Sequence, residues 1–393
     1  MTGASQSEID NMRILMTVTF TSLMDGVCRH ILAVAPALNA EPGVEVAVLT
    51  TLPPGDLNRA LEAKGVRTFS LMAPNGHALA IWWRFGRIMR EFKPDIVHSH
   101  VLPWMVAVAL KYRYPAIPYM MTEHGTYVGN RTWTWRQRLA ILAARFSRVP
   151  KRAICYVSRG SYESYPCRPA KAILEVAYNP MRFAPVLPPR TAALHALLRI
   201  DPAAPIVGTA CRIAAVKNPR ALTEVMCRAL RRVPAAHAVL IGEGPREMMA
   251  EVDEVLARQD ETVRARFHLP GYRADAAELV RDLDVFIMTS SGEGLPTALL
   301  EAIAGGVPIA FWNGDGGLKD IARLNEELPG CVEVREQGDV EGLAEGVVKI
   351  LQAPPLARSH ARGAFEIASK RFSVEATTAK LIDVYRRVLS VEA

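Results

Sequence analysis

The chain has 393 residues, half of them hydrophobic and 22% charged, which predicts two or three domains with sizeable cores and excludes disorder, collagen-like repeats and coiled coil as descriptions of the whole. No apolar run approaches the ~20 residues that span a bilayer, and the polar, acidic stretch Met1 to Asn11 is expected to be neither a signal nor a transit peptide. The net charge is +7, but residues 1–180 carry 21 Lys/Arg against 12 Asp/Glu while the remainder carries 26 against 28, so the basicity belongs to the N-terminal half. Six scattered cysteines (Cys28, Cys155, Cys167, Cys211, Cys227, Cys331) never form a C-x-x-C pair. That argues against a disulfide framework or a zinc site and for a cytoplasmic location.

In chain order, short β-branched runs alternate with helical patterns. Strands are predicted at Arg13–Thr19, Val44–Thr51, Arg67–Leu71, Asp95–His98, Pro118–Thr122, Ala153–Val157 and Ala172–Val176. Helices are predicted at Val27–Leu38, Leu79–Glu91, Trp104–Tyr112 and Trp135–Phe146. This rhythm requires right-handed crossovers and a parallel sheet covered on both faces. Prolines 180, 185, 188, 189, 202 and 205 then read as an interdomain linker. The alternation restarts with strands at Ile206–Cys211, Ala238–Ile241, Arg266–Leu269, Val285–Thr289, Pro308–Ala310 and Cys331–Val334, and helices at Asn218–Arg231, Glu247–Ala257, Thr297–Ala304 and Val340–Leu351. Two doubly wound Rossmann-like domains follow, over residues 1–185 and 200–370. A final amphipathic helix, 372–389, falls outside the alternation and is expected to pack back on the first domain. In such sheets ligands bind beyond the carboxyl ends of the strands, so the chemistry is expected in a crevice between the domains.

Arg131 to Arg152 contains seven cations and no acid, interleaved with Trp133, Trp135 and aliphatics. Such a segment suits an anionic membrane surface or a phosphorylated substrate, or else a core-facing helix with a solvated basic face. No recognition motif accompanies the charge, which argues against nucleic acid.

The strongest chemical signal is Ser290-Ser291-Gly292-Glu293-Gly294-Leu295-Pro296, which follows a strand and opens the helix that carries Glu301. Pro296 suits a first helical position. The amides behind Leu295 form a helix N-terminus, a ready site for a diphosphate. Glu293, in the loop, can face a sugar ring, and Glu301 can accept hydrogen bonds from a vicinal diol, although either alone could be an ordinary surface acid. The second signal is Arg212 at a strand end with Lys217 five residues on. An Arg fork and a Lys point charge can neutralise a diphosphate without a metal. Gly242-Glu243-Gly244-Pro245 closes a strand tightly enough for backbone to approach a ligand, but Glu247 stands where a dinucleotide fingerprint needs its third glycine. Asp282-Leu283-Asp284 resembles a metal-binding carboxylate pair, yet it precedes a strand, at the amino edge, and reads as structural. In the first half His100 and His124 end neighbouring strands, and Gly26 opens a helix after the first strand.

Taken together, these residues resemble the retaining glycosyltransferases of family 4, also called glycosyl transferases group 1, with the GT-B fold. The carriers are the Glu293-to-Glu301 spacing (E-x7-E), Arg212 with Lys217 and Asn218, the Gly242–Pro245 turn, the His100 strand end and Tyr178-Asn179-Pro180. The resemblance implies that the second domain binds a UDP- or GDP-sugar. Arg212 and Lys217 would hold the diphosphate, Glu301 the ribose, and Glu293 with Gly294, Leu295 and Pro296 the donor sugar, while Arg273 would lie near the base through its main chain. The first domain would bind a polysaccharide, lipopolysaccharide or lipid-linked acceptor, with Gly26 near the phosphates and His100 beside the reacting sugar. Transfer would retain configuration without metal or cofactor, in the cytoplasm or peripherally on the inner membrane face. A nucleotide-sugar epimerase of the same fold and a non-catalytic sugar-nucleotide binding protein are the alternatives. Three departures concern the acceptor: Asp25-Gly26 in place of two glycines, Arg159 after Ser158 in place of an acid, and Asn179-Pro180-Met181-Arg182 in place of Asn-Gly-x-Asp.

Overall fold

The computed structural model describes residues 11–23, 25–73, 80–100, 104–125, 151–165 and 172–390. The chain divides into two compact units, Met1–Pro180 with Val374–Ala393, and Met181–Ser373.

In the first unit the order is β1 (Met12–Val18), α1 (Gly26–Asn39), β2 (Val44–Thr50), α2 (Asp56–Glu62), β3 (Arg67–Ser70), α3 (Ala80–Phe92), β4 (Ile96–Ser99), α4 (Trp104–Arg113), β5 (Tyr119–Glu123), β6 (Lys151–Tyr156), α5 (Arg159–Ser164) and β7 (Ile173–Val176). The strands pair in parallel in the order β3-β2-β1-β4-β5-β6-β7. Alternate side chains of β1 feed two cores: Ile14, Met16 and Val18 join one with α1, and Leu15 joins another with Phe85 and Ile88 of α3. A strand buried on both faces needs this continuous apolar run. The predicted helix Trp135–Phe146 and the basic segment 131–152 lie outside the described residues, save for the β6 backbone of Lys151 and Arg152.

The second unit contains α6 (Ala193–Leu198), β8 (Ile206–Ala210), α7 (Pro219–Arg232), β9 (His237–Ile241), α8 (Arg246–Ala257), β10 (Phe267–Gly271), β11 (Val285–Met288), β12 (Gly292–Glu293), α9 (Thr297–Ala304), β13 (Ile309–Asn313), β14 (Asp315–Gly316), α10 (Gly317–Ala322), β15 (Glu333–Glu336), α11 (Val340–Gln352) and α12 (Pro354–Arg371). Its main sheet is parallel, in the order β10-β9-β8-β11-β13-β15, and β12 pairs only with β14. The predicted elements omit α12. Its buried stripe is mostly alanine (Ala357, Ala361, Ala364, Ala368) with Phe365, which leaves little hydrophobic contrast to read, and its two prolines stand at the start, where the missing N–H costs nothing.

From Met181 onward the proline-rich segment is part of this second unit. Asp282, fully buried, accepts from the amides of Thr191, Ala192 and Leu194 at 2.8, 3.0 and 3.0 Å. Asp284 pairs with Arg190 at 2.7 Å and accepts from the Ile206 amide at 2.8 Å. Both carboxylates therefore fasten residues 190–206 to the sheet. Burial alone would raise the Asp282 pKa, but the amide bonds and the Thr191 hydroxyl outweigh it and hold the carboxyl below its ordinary value.

The last helix, α13 (Val374–Ser390), returns to the first unit. Leu381, Val384, Tyr385 and Val388 enter the core that α1 shares with β1. Thr377 Oγ1 donates to the Tyr178 carbonyl at 3.0 Å, and Lys380 pairs with Glu175 at 2.7 Å.

Candidate functional site

Each parallel sheet has one place where its strand order reverses, and loops leaving the two central strands there diverge to open a cleft. In the second unit these strands are β8 and β11. The loop after β8 carries Arg212 and Lys217, and the loop after β11 carries Glu293. The two are stitched together: Thr289 Oγ1 donates to the Lys217 carbonyl at 2.7 Å, Asn218 Nδ2 to the Thr289 carbonyl at 2.8 Å, and the Ser291 amide to the Val216 carbonyl at 2.9 Å. Asn218 makes the bend with φ +49°, a left-handed conformation that asparagine tolerates.

The outcome is a direct contact between the two sequence motifs. Lys217 Nζ donates to Glu293 Oε1 at 2.6 Å, with 16% and 19% of the two side chains exposed. Glu293 is therefore an ion-paired group and not an isolated loop acid. Its backbone is fixed by the β12–β14 pairing, Glu293 opposite Gly316. Gly317 permits this crossing, since a Cβ there would sit 2.5 Å from the Gly294 carbonyl oxygen. The segment Gly314 to Gly317 was not among the sequence candidates, and its cluster of glycines was the available signal.

Arg212 is exposed and has no partner among the described residues. Leu295 and Pro296 are buried, and Gly294 and Glu301 are half-buried. Pro296 occupies the N-cap of α9 in an extended conformation, not the first helical position predicted for it, and no side chain caps this end. The first amides of α9 thus lack both intrahelical acceptors and a side-chain cap, leaving a partial positive charge.

One expectation is corrected. The backbone that approaches Gly242 and Gly244 is the chain's own: a Cβ on Gly242 would lie 1.9 Å from the Cys211 carbonyl oxygen, and one on Gly244 2.1 Å from that of Ile213. These glycines shape the β8 loop. The Arg273 guanidinium grips Asp275 through two bonds of 2.8 and 2.7 Å, which is compatible with a role for its main chain.

In the first unit the order reverses between β1 and β4. Gly26 starts α1 there, after an N-cap Asp25 that accepts from the amides of Val27 and Cys28, and the space beside its missing Cβ is open. His100 follows β4 and His124 follows β5, with His100 Nδ1 2.9 Å from His124 Nε2. Two further histidines were missed. His98, two residues before His100, shares its face of the strand, and His30 lies on the buried stripe of α1 with Val34 and Leu38. The H-x-H spacing and this helical register were the signals. His98 bonds Tyr385 at 2.6 Å and Thr122 at 2.7 Å; His30 Nδ1 bonds Asn179 Oδ1 at 2.8 Å. Burial pushes His30 down to about 4, against the pull of Asn179, and burial with the neighbouring His30 pushes His98 down to about 3. Burial, then the surrounding imidazoles, also holds His100 and His124 well below the ordinary range.

Comparison with known proteins agrees with this geometry. The family description "Glycosyl transferases group 1" matches residues 204–353, and "Glycosyltransferase Family 4" matches residues 24–165. A 2-deoxystreptamine N-acetyl-D-glucosaminyltransferase of Streptomyces fradiae is 27% identical over 335 residues, 77% of each chain. The lipopolysaccharide core biosynthesis glycosyltransferase LpsD of Rhizobium meliloti is 23% identical, over 78% of this chain and 79% of its own. Among solved structures, HepE of Anabaena in complex with UDP superposes with a TM-score of 0.74 at 18% identity, covering 96% of this chain and 100% of that one. A glycosyltransferase from Rickettsia africae gives 0.77 at 18%, covering 98% and 100%. The two parallel, doubly wound sheets match those of GT-B glycosyltransferase structures. Each unit matches its own half of the family, and the chain belongs to the group 1, family 4 glycosyltransferases. It is a transferase enzyme.

Proposed function

We propose that the protein transfers a sugar from a nucleoside-diphosphate sugar to a glycan, lipopolysaccharide or lipid-linked acceptor, with retained configuration and without a metal at the diphosphate. The observation that carries this reading is the Lys217–Glu293 contact between the two loops that leave the switch point of the second unit. Lys217, the exposed Arg212 and the uncapped N-terminus of α9 together offer positive charge to a leaving diphosphate, the kind of preorganised electrostatic help that dominates many catalysed transfers. Glu293, held by Lys217, orients the donor sugar, and a front-face route through an oxocarbenium-like state needs no enzyme nucleophile. Glu301 accepts from the ribose hydroxyls. Gly26, His100 and His124 are the groups the first unit offers to the acceptor side. The name of LpsD and the UDP held by HepE support the acceptor class and the donor class.

Thermal shift with a panel of UDP- and GDP-sugars tests the donor. One class is expected to raise the melting temperature of the wild type by mass action and, at the same concentration, to raise that of Lys217→Ala by much less. Transfer from that donor in excess chelator is expected to proceed, with NMR of the product showing the donor's anomeric configuration. Loss of transfer on chelation or an inverted product refutes those parts of the reading.

Membrane association belongs to the same proposal. No helix among the described residues is long and apolar enough to cross a membrane. The exposed face of α3 carries Trp83, 83% exposed, with Arg87 and Arg90 at i+4 and i+7. An aromatic beside cations suits an anionic interface. Co-sedimentation with phosphatidylglycerol vesicles is expected to fall at high salt and in Trp83→Ala; salt-independent sedimentation argues against it.

A further inference from the structure

We infer that a cavity of about 220 Å³ in the second unit, between α12 and the amino ends of β13 and β15, binds a small carboxylate with an apolar ring or chain. The site does not rest on the donor reading. The strands of this sheet run parallel, and the proposed donor loops leave their carboxyl ends. Pro308 leads into β13 and Cys331 stands before β15, so the cavity opens at the opposite edge of the sheet.

Its origin lies in the composition of α12. The buried stripe of that helix is mostly alanine, and Ala357 presents a methyl group where a larger side chain would close the gap to the sheet. Ile309 and Cys331, 2% and 3% exposed, belong to the floor, and Ile350 of α11 to a wall. Burial pushes the Cys331 thiol up to about 11, so it stays protonated and packs as a small apolar group. Leu356 also lines the cavity, yet 57% of it is exposed, which places an apolar side chain at the mouth. An apolar cavity of about 150 Å³ holds a benzene ring, so this one admits a ring with a short substituent or a chain of similar bulk.

The polar groups in the lining are few, and they select the charge of the ligand. Lys349 is exposed and makes no ion pair or hydrogen bond among the described residues. His360 is half-buried and adds a ring N–H donor. Gly330, at φ +80°, lets that ring lie against the backbone, since a Cβ there would sit 3.2 Å from His360 Cε1. The acid in the lining, Glu333, is neutralised by Arg335 at 2.6 Å. What remains is one uncompensated ammonium beside one neutral donor, on apolar walls, the usual make-up of a small-molecule pocket. A carboxylate can accept from both groups while its apolar body fills the cavity. A phosphate dianion would bring a second charge toward Glu333, and a cation would meet Lys349.

Calorimetric titration of the full chain with phenylacetate tests the site, against phenylacetamide, which has the same shape and no charge. Phenylacetate is expected to bind at one equivalent per chain, and phenylacetamide about tenfold more weakly, because bonds to a charged group are the stronger ones. Lys349→Ala is expected to weaken phenylacetate by about fivefold, as for an exposed ion pair. Leu356→Asp, which sets an acid at the mouth, is expected to abolish its binding. Both positions are exposed, and circular dichroism checks that each variant is folded. Failure of both phenylacetate and hexanoate to saturate a single site overturns the assignment, as does wild-type affinity for phenylacetate in either folded variant.

Discussion

Lys217 and Glu293 are 76 residues apart in sequence and 2.6 Å apart in space. Removing either partner does different damage. Lys217→Ala deletes a cation from the proposed diphosphate site and leaves a poorly solvated carboxylate in its place. A hydrogen bond to a charged group is worth about 1.5–3 kcal/mol, so binding of the nucleoside diphosphate is expected to weaken by about tenfold to a hundredfold, measured by calorimetric titration. Glu293→Gln keeps the cation and the shape. Nucleotide affinity is expected to stay within about threefold while kcat falls by about a hundredfold, because an interaction made mainly in the transition state lowers kcat without raising KM. A raised KM with kcat unchanged would assign Glu293 to ground-state binding.

At the scale of elements, close backbone approach sets the donor-side loops, and one buried acid fastens the segment that precedes β8. Gly244→Ala puts a methyl group 2.1 Å from the Ile213 carbonyl oxygen, so the β8 loop has to move. The Ile213 amide, which donates to the Glu243 carbonyl at 2.9 Å, moves with it. Such a substitution is expected to cost about 2–4 kcal/mol and to lower nucleotide affinity through the displaced loop, readable by urea unfolding and titration in parallel. Asp282 secures the segment from Thr191 to Leu194. Asp282→Asn replaces an acceptor oxygen with a donor facing backbone amides, at an expected cost of about 3 kcal/mol.

The same aspartate gives a pH dependence with a definite sign. Its folded pKa lies below the unfolded value, so its contribution is fully present above the ordinary aspartate pKa of about 3.9 and fades as pH falls through the folded value. The stability gap between wild type and Asp282→Asn is therefore expected to be constant from neutral pH to about pH 5 and to shrink below about pH 4. A gap unchanged at low pH would mean that the carboxylate charge contributes nothing.

At the scale of the whole molecule, the chain leaves the first unit at Pro180 and returns at Val374. The first unit is thus incomplete until the last helix has been made. Deleting residues 374–393 uncovers the partners of Leu381, Val384, Tyr385 and Val388, which are at most 1% exposed. Each such side chain contributes about 1.5–3 kcal/mol on burial, and their sum is comparable with the 5–15 kcal/mol of a typical domain. In calorimetry the truncated chain is expected to lose the first unit's transition and keep the second's. Two retained transitions would show that α13 is dispensable.

The sequence by itself determined the alternation of elements, the two-sheet architecture and the pairing of E-x7-E with Arg212 and Lys217, because apolar periodicity and glycine–proline punctuation are local properties of the chain. It could not decide what only long-range packing supplies. The glycines at 242 and 244 read as space for a ligand, and tertiary structure filled that space with the β8 loop. The alanine-lined α12 showed too little hydrophobic contrast to be seen. His30 and His98 drew no reading from the sequence, and only the fold sets their rings against His100 and His124, 4.3–5.1 Å centroid to centroid. Local patterns are written along the chain, whereas a site is made by contacts between residues far apart in it, and the fold alone brings those together.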